Sequence, residues 1–312
     1  MRKFLLAAGL VALVGAPNYS AAEPVTAAAT DADDTAAPNS PDILEIMDIT
    51  DVINDKSAEK VADKVKDINQ NKRIRAVLLT VNSPGGGVVA SSNINEELSK
   101  LRVPVVAWCN SECASGGMYV LMNKSVKFIG VRKETIAGSI GVVMSMTKYN
   151  RLMDWARLDN EVYKSAPLKD AGNPGRETTD ADRAYFQSII NSLAADFYGI
   201  IKDSRGDKIT DWDAVKSARI FFGQEAVKVG LVDGVITYEE AERKAKELSG
   251  SKAIYTREEM KKMAKVAGDD SGGYLHYSAP ELPMNLDGLL STLHDIQLGE
   301  TVRFEYLAPY HF

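Results

Sequence analysis

Histidine is missing from most of this chain: its only three, His276, His294 and His311, lie close to the end. Cysteine is almost as scarce. Cys109 and Cys113 are the only two, too few for a disulfide framework even in an oxidising compartment, and with no histidine near them a Cys/His zinc site is excluded. Both are read as small buried apolar residues, with a local disulfide as the alternative. Excess positive charge is lacking too. A formal charge of −6 provides no basic field for a phosphate backbone, so nucleic acid is not an expected partner. Long apolar runs are absent as well: the stretch 4–16 spans 13 residues, whereas crossing hydrocarbon takes about 20.

That stretch follows Arg2 and Lys3 and precedes the small residues Ser20, Ala21 and Ala22. Together they read as a secretory signal over residues 1–22, with an uncleaved membrane anchor as the alternative. The expected location is therefore outside the cytoplasm, periplasmic or associated with the inner membrane through the N-terminal segment. Residues 23–42 are rich in Ala, Thr, Asp and Pro without apolar periodicity, as in a flexible linker. No cysteine follows the signal to carry a lipid.

From residue 43 the chain alternates. Residues 43–49 read as a strand, followed by a helix with Ser57 as candidate cap and Val61, Val65 and Ile68 on one face. The apolar run 76–81 reads as a central parallel strand. Then come a helix over 88–101, a strand over 103–109, a helix over 115–122, and strands over 126–131 and 140–146. Such a series predicts an α/β fold, a mostly parallel sheet with flanking helices. A long helix over 179–204 is expected from the spacing of Phe186, Ile189, Leu193, Phe197 and Ile200, with Thr179 and Asp182 as a capping-box variant. The domain is expected to occupy 43–250. Residues 251–312 form a tail of unassigned role, with a break at 268–273 and an amphipathic segment near 289–298.

Two glycine-rich segments stand where a strand gives way to a helix. Asn82-Ser83-Pro84-Gly85-Gly86-Gly87 lets the backbone turn sharply and present N–H groups outward, which suits a developing oxyanion; it also suits a plain turn. Cys113-Ala114-Ser115-Gly116-Gly117-Met118 places Ser115 at a helix start, where it reads either as a nucleophile or as an N-cap. It is not the GxSxG elbow, because Cys113 stands two residues before the serine. A Ser-His-Asp triad could be completed only by a tail histidine folding back. A lysine base is the remaining simple route, and it must be neutral, its pKa brought from about 10.4 to roughly 7 or 8 by burial and neighbours. Lys164, at the end of a strand-like Val162-Tyr163 and before small residues, meets that requirement; Lys169, beside Asp170, looks solvated. A surface lysine is the ordinary alternative.

The ordered set NSPGGG at 82–87, ASGG at 114–117, GSIGV at 138–142, YKSA at 163–166 and FFGQEAVKVGLVDG at 221–234 resembles the signal peptide peptidase A or protease IV family, over about residues 43–250. The resemblance implies the Clp-protease/crotonase-like spiral of β-α units and a Ser-Lys dyad. Ser115 would be the nucleophile, Lys164 the base, Ser139 a hydrogen-bond partner of the lysine, and the N–H groups of Gly86 and Gly116 the oxyanion hole. It implies a serine endopeptidase that hydrolyses apolar peptides such as cleaved signal peptides, with no metal or organic cofactor. It also implies a ring-shaped homo-oligomer in which the lysine reaches the serine from a neighbouring subunit. One copy of each motif marks the short, single-domain type. Two alternatives are a crotonase-like enzyme acting on a coenzyme A thioester, which shares the paired N–H groups, and a capsid-maturation peptidase, which the signal-like N-terminus argues against.

Overall fold

Short apolar runs become buried parallel strands in the computed structural model, which describes residues 41–266 and 304–307. The strands β1 (Asp42–Thr50), β2 (Ile74–Ser83), β4 (Val105–Ala114) and β5 (Val126–Val131) lie side by side and parallel, with β9 (Gly234–Val235) beyond β5 and β10 (Ile254–Thr256) beside β1. Two further strands, β6 (Ile136–Gly138) and β8 (Ile220–Phe222), continue this sheet from the end of β4, β6 parallel to β4 and β8 antiparallel to β6. A separate, smaller sheet joins β3 (Gly85–Gly87), β7 (Val143–Met144) and β11 (Phe304–Leu307).

Strand residues alternate between two cores, as a sheet covered on both faces requires. Val77, Leu79 and Val81 of β2 face a large cluster with Val61, Val65 and Ile68 of α1 (Asp55–Gln70), Ile94 of α2 (Val88–Leu98), Met118 of α3 (Gly116–Leu121), and Phe197 and Ile201 of α5 (Asp180–Arg205). Ala76 and Leu78 face a smaller one with Trp108 and with Ala241 and Ala245 of α8 (Tyr238–Leu248). The elements follow the β-α alternation read in the sequence.

Several local readings hold and several change. Thr179 caps α5 in a capping box with Asp182, and Phe197 is buried while Phe186, Ile189, Leu193 and Ile200 are half-buried. The cap of α1 is Asn54, with Ser57 at the third helical position completing the box; a serine there serves the cap but does not make it. The strand expected over 140–146 is reduced to the two-residue β7, with β6 forming just before it. The tail contributes β10 to the main sheet. The signal segment, nearly all of the linker, the break at 268–273, the segment near 289–298 and all three histidines lie outside the described residues. Among the described residues no helix is long and apolar enough to cross a membrane.

A buried ion pair fastens α5 to the end of the sheet. Arg205 donates two hydrogen bonds to the Asp233 carboxylate at 3.0 Å each, and one to Gly230 O at 2.8 Å. Burial pushes the Asp233 carboxyl up, but Arg205, Lys208 and the Ile129 N–H outweigh it and hold it below the usual value. A depressed carboxylate stabilises the fold above its unfolded pKa of about 3.9, and that contribution fades as pH falls through the folded value. Arg205→Ala leaves the carboxylate without its main partner and should cost about 3–5 kcal/mol in urea unfolding at pH 7, with the difference shrinking below about pH 4.

Candidate active site

The local fold around Ser115 begins with a bulge. Val81 pairs with Cys109, but the next register pair is Ser83 with Cys113, so residues 110–112 of β4 stand opposite Asn82 alone. Asn82 holds them: its Oδ1 accepts the N–H groups of Ser111 (3.2 Å) and Glu112 (3.1 Å). Cys109 and Cys113 close the bulge as a disulfide, their Cα atoms 6.1 Å apart. This corrects the reading of both as plain buried residues; they are fully buried, and also bonded. Across the bulge β4 changes neighbour, from β5 before it to β6 after it. Bulges re-aim a strand in this way.

Ser115 is the residue that emerges. Its backbone has φ 50° and ψ −116°, a conformation that costs a non-glycine residue about 1–3 kcal/mol. Its N–H donates to Gly138 O at 2.8 Å and its carbonyl accepts from Tyr119 N–H at 3.0 Å, so the turn is pinned on both sides. The side chain is fully buried and its Oγ has no hydrogen-bond partner. Ser115 occupies the N-cap position of α3 without making a side-chain cap bond, which removes the capping explanation. A buried hydroxyl left unsatisfied on a strained backbone is unusual, and the two features together make Ser115 a candidate functional position.

The glycine segment comes close to it. A Cβ on Gly116 would lie 2.5 Å from Ser91 Oγ and 3.2 Å from both Gly86 N and Gly85 Cα, so glycine lets the two backbones come close. At Gly86 a Cβ would fall 2.0 Å from Ile53 O. Ile53 takes Gly85 O as acceptor (2.7 Å) and Gly87 N–H as donor (2.9 Å), and strand geometry turns the N–H and C=O of Gly86 to the opposite side. Ser139 also stands here: it follows Gly138, the partner of Ala114 in the β4–β6 ladder, as Ser115 follows Ala114. Ser139 is buried with φ 52°, its N–H donating to Arg219 O at 3.0 Å. Thus four of the five expected site residues, Ser115, Ser139, Gly86 and Gly116, gather at one end of the sheet.

Lys164 is elsewhere. No strand forms at Val162 and Tyr163, which are exposed in the connection between α4 (Asn150–Ala156) and α5. The Lys164 ammonium donates to Asp170 Oδ1 at 2.7 Å and to Pro167 O at 3.1 Å, and neither Ser115 nor Ser139 is among its partners. The apolar run was too short to hold a strand against an exposed loop. Lys169 is exposed, as read from the sequence, while its neighbour Asp170 binds Lys164 and Arg176. Arg176 and then Lys164 lower the Asp170 pKa to about 2. Arg176 reaches on to Asp182, the capping-box residue of α5, so this network braces the loop that carries Lys164. The hold of Asn82 on the bulge and the pairing of Asp170 with Arg176 were not read from the sequence; their partners lie across a bulge or within an irregular loop that no periodicity reports.

Residues 97–252 match the profile of Peptidase family S49, and residues 42–128 match that of Clp protease. The chain is 34% identical over 197 residues to a Methanocaldococcus jannaschii protein named "Putative protease", covering 62% of each. It is 33% identical to an Enterococcus faecium "Putative signal peptide peptidase SppA", covering 57% of this chain and 52% of the relative. It is 31% identical to a Synechocystis "Putative protease", covering 65% of this chain and 73% of the relative. The chain therefore spans between half and two thirds of the length of the first two. The fold is the Clp-protease-like α/β arrangement expected from the motifs.

Proposed function

Because the chain belongs to peptidase family S49, we propose that it is a serine endopeptidase whose nucleophile is Ser115 and whose general base is Lys164. The observation that carries this reading is the Ser115 hydroxyl, buried, strained and without a hydrogen-bond partner. Such a hydroxyl spends neither its proton nor its lone pairs on the fold and so keeps them for a base and a carbonyl carbon. Neutral Lys164 takes its proton, the oxygen attacks the scissile carbonyl, and the N–H groups of Gly86 and Gly116 hold the oxyanion. The amine then leaves with the lysine's proton and water releases the acyl group. Ser139, next to Ser115 across the ladder, would orient the lysine. Nothing in these steps calls for a metal or an organic cofactor.

For Lys164 to act, it must exchange Asp170 for Ser115, because a carboxylate favours the ammonium form and a base must be neutral. We infer that a neighbouring copy in a homo-oligomeric ring supplies the lysine. Trp155 and Tyr163, on and just after α4, are 83% and 87% exposed, and Leu152 and Leu158 stand beside them in the chain at about 60%. Large apolar side chains left exposed along one stretch of chain suit burial by a second copy. Trp155→Glu should therefore shift the protein toward monomer in light scattering and lower peptidase activity by about tenfold or more, since an incomplete ring loses its dyads. An unchanged oligomer with full activity would remove the intersubunit reading.

The substrate would be an apolar peptide, such as a cleaved signal peptide, consistent with the name of the Enterococcus relative. The segment 1–22 would deliver the enzyme outside the cytoplasm, to the periplasm or to the inner-membrane surface. Incubating the purified oligomer with apolar peptides and identifying products by mass spectrometry tests the function; intact peptides after prolonged incubation would count against it.

A further inference from the structure

The disulfide in β4 ends two residues before Ser115 and has no part in the proposed chemistry. Its two ends have different surroundings. Cys109 is paired on both sides, with Val81 of β2 and Val131 of β5, and so belongs to the centre of the sheet. Cys113 pairs with Ala137 of β6 and with Ser83, and it leads through Ala114 into Ser115. Between them the bulge is held by Asn82, by the pairing of Glu112 with Ile136, and by the Thr135 hydroxyl, 2.5 Å from Asn110 O and 3.1 Å from Cys109 O. Three residues facing one keep backbone freedom that these contacts must overcome. A cross-link over the same residues removes that freedom directly.

Ser115 stands at φ 50°, with its N–H on Gly138 O and its carbonyl under Tyr119 N–H, and both bonds depend on where the chain leaves the bulge. We propose that Cys109 and Cys113 are positioning residues for Ser115, and that forming their disulfide switches the site on. This rests on the peptidase reading for the activity that is switched, but the anchoring itself does not depend on catalysis. In forming the bond, the two thiols give up two protons and two electrons to an organic disulfide, which leaves as two thiols; a dithiol reverses the exchange and is itself oxidised to a disulfide. Cytoplasmic thiols stay reduced, whereas disulfides persist outside. A chain exported by segment 1–22 would therefore gain its working geometry only after leaving the cytoplasm, and cytoplasmic proteins would be spared. Both cysteines are fully buried, so exchange takes place before the segment closes.

The chain has no other cysteine, so alkylation followed by mass measurement reads the state of the pair without ambiguity. Full-length protein is prepared with oxidised glutathione or with dithiothreitol present throughout, and both forms are assayed for peptide hydrolysis and for deuterium uptake. The reduced form should show a kcat at least about tenfold lower at little changed KM, since a misplacement of about 1 Å at a reacting group costs on the order of a hundredfold. Deuterium uptake should rise in residues 110–119 and stay the same in β1 and β2, which separates a loosened turn from an unfolded protein. Re-oxidation should restore the rate, and the Cys109→Ala/Cys113→Ala variant should work at the reduced form's rate whether or not dithiothreitol is present. Equal rates in the two forms, or two free thiols in fully active protein, overturn the proposal. Redox-dependent uptake without hydrolysis in either form would instead remove the peptidase reading and leave the anchoring standing.

Discussion

Ser115→Ala is expected to lower kcat for peptide hydrolysis by roughly four orders of magnitude or more, because the covalent route is lost and only binding and oxyanion contacts remain. The same substitution should leave the fold intact. The Oγ it deletes is a buried polar atom with no partner, and removing such an atom is neutral or favourable, by up to about 1–3 kcal/mol. A serine with a structural role behaves the other way: a capping serine lost to alanine costs about 1 kcal/mol and leaves chemistry alone. Activity and stability measured on one preparation therefore separate the two roles. Loss of activity with an unchanged or raised unfolding midpoint is the predicted pair.

Lys164→Ala is expected to lower activity to a similar degree, and the double variant to be little worse than either single one, because the two residues act as a unit. Lys164 is exposed and its ion pair with Asp170 lies at the surface; such pairs are worth about 0–1 kcal/mol, so stability should barely change. Mixing the two inactive proteins distinguishes the arrangement of the dyad. In a heterologous ring each site takes the serine from one copy and the lysine from the next, so an equal mixture of Ser115→Ala and Lys164→Ala subunits regenerates about one quarter of the sites. A dyad closed within one chain regenerates none. Recovery after subunit exchange, followed by initial rate, is the measurement.

The sheet and the long helix were legible because their signals are local and repeated. Buried runs such as 76–81 predict central strands, and Thr179 with Asp182 predicts the start of α5. Where function concentrates, local signals stopped short. The strand over 103–109 continues to Ala114 because a disulfide-closed bulge, held by Asn82, lets the chain rejoin a different neighbour. No hydrophobic alternation records that change. Ser115 was legible as a serine before two glycines at a strand-to-helix turn, but its strained backbone and unpaired hydroxyl go with the contact to Gly138 and with burial, which only the assembled fold displays. Lys164 came from motif order, and the isolated chain leaves it on Asp170. Nothing in residues 304–307 announced a strand partner near position 86, since pairing across more than two hundred residues depends on the edges the rest of the fold leaves open.

In the proposed mechanism Ser115 carries a covalent acyl intermediate. Rapid acid quenching during turnover of an activated peptide ester, followed by peptide mapping of the protein, tests it directly. An acyl mass on the fragment containing Ser115 in the wild-type oligomer, and none in Ser115→Ala, is the expected result. Steady hydrolysis with no adduct at Ser115, or an adduct on another residue, would contradict it.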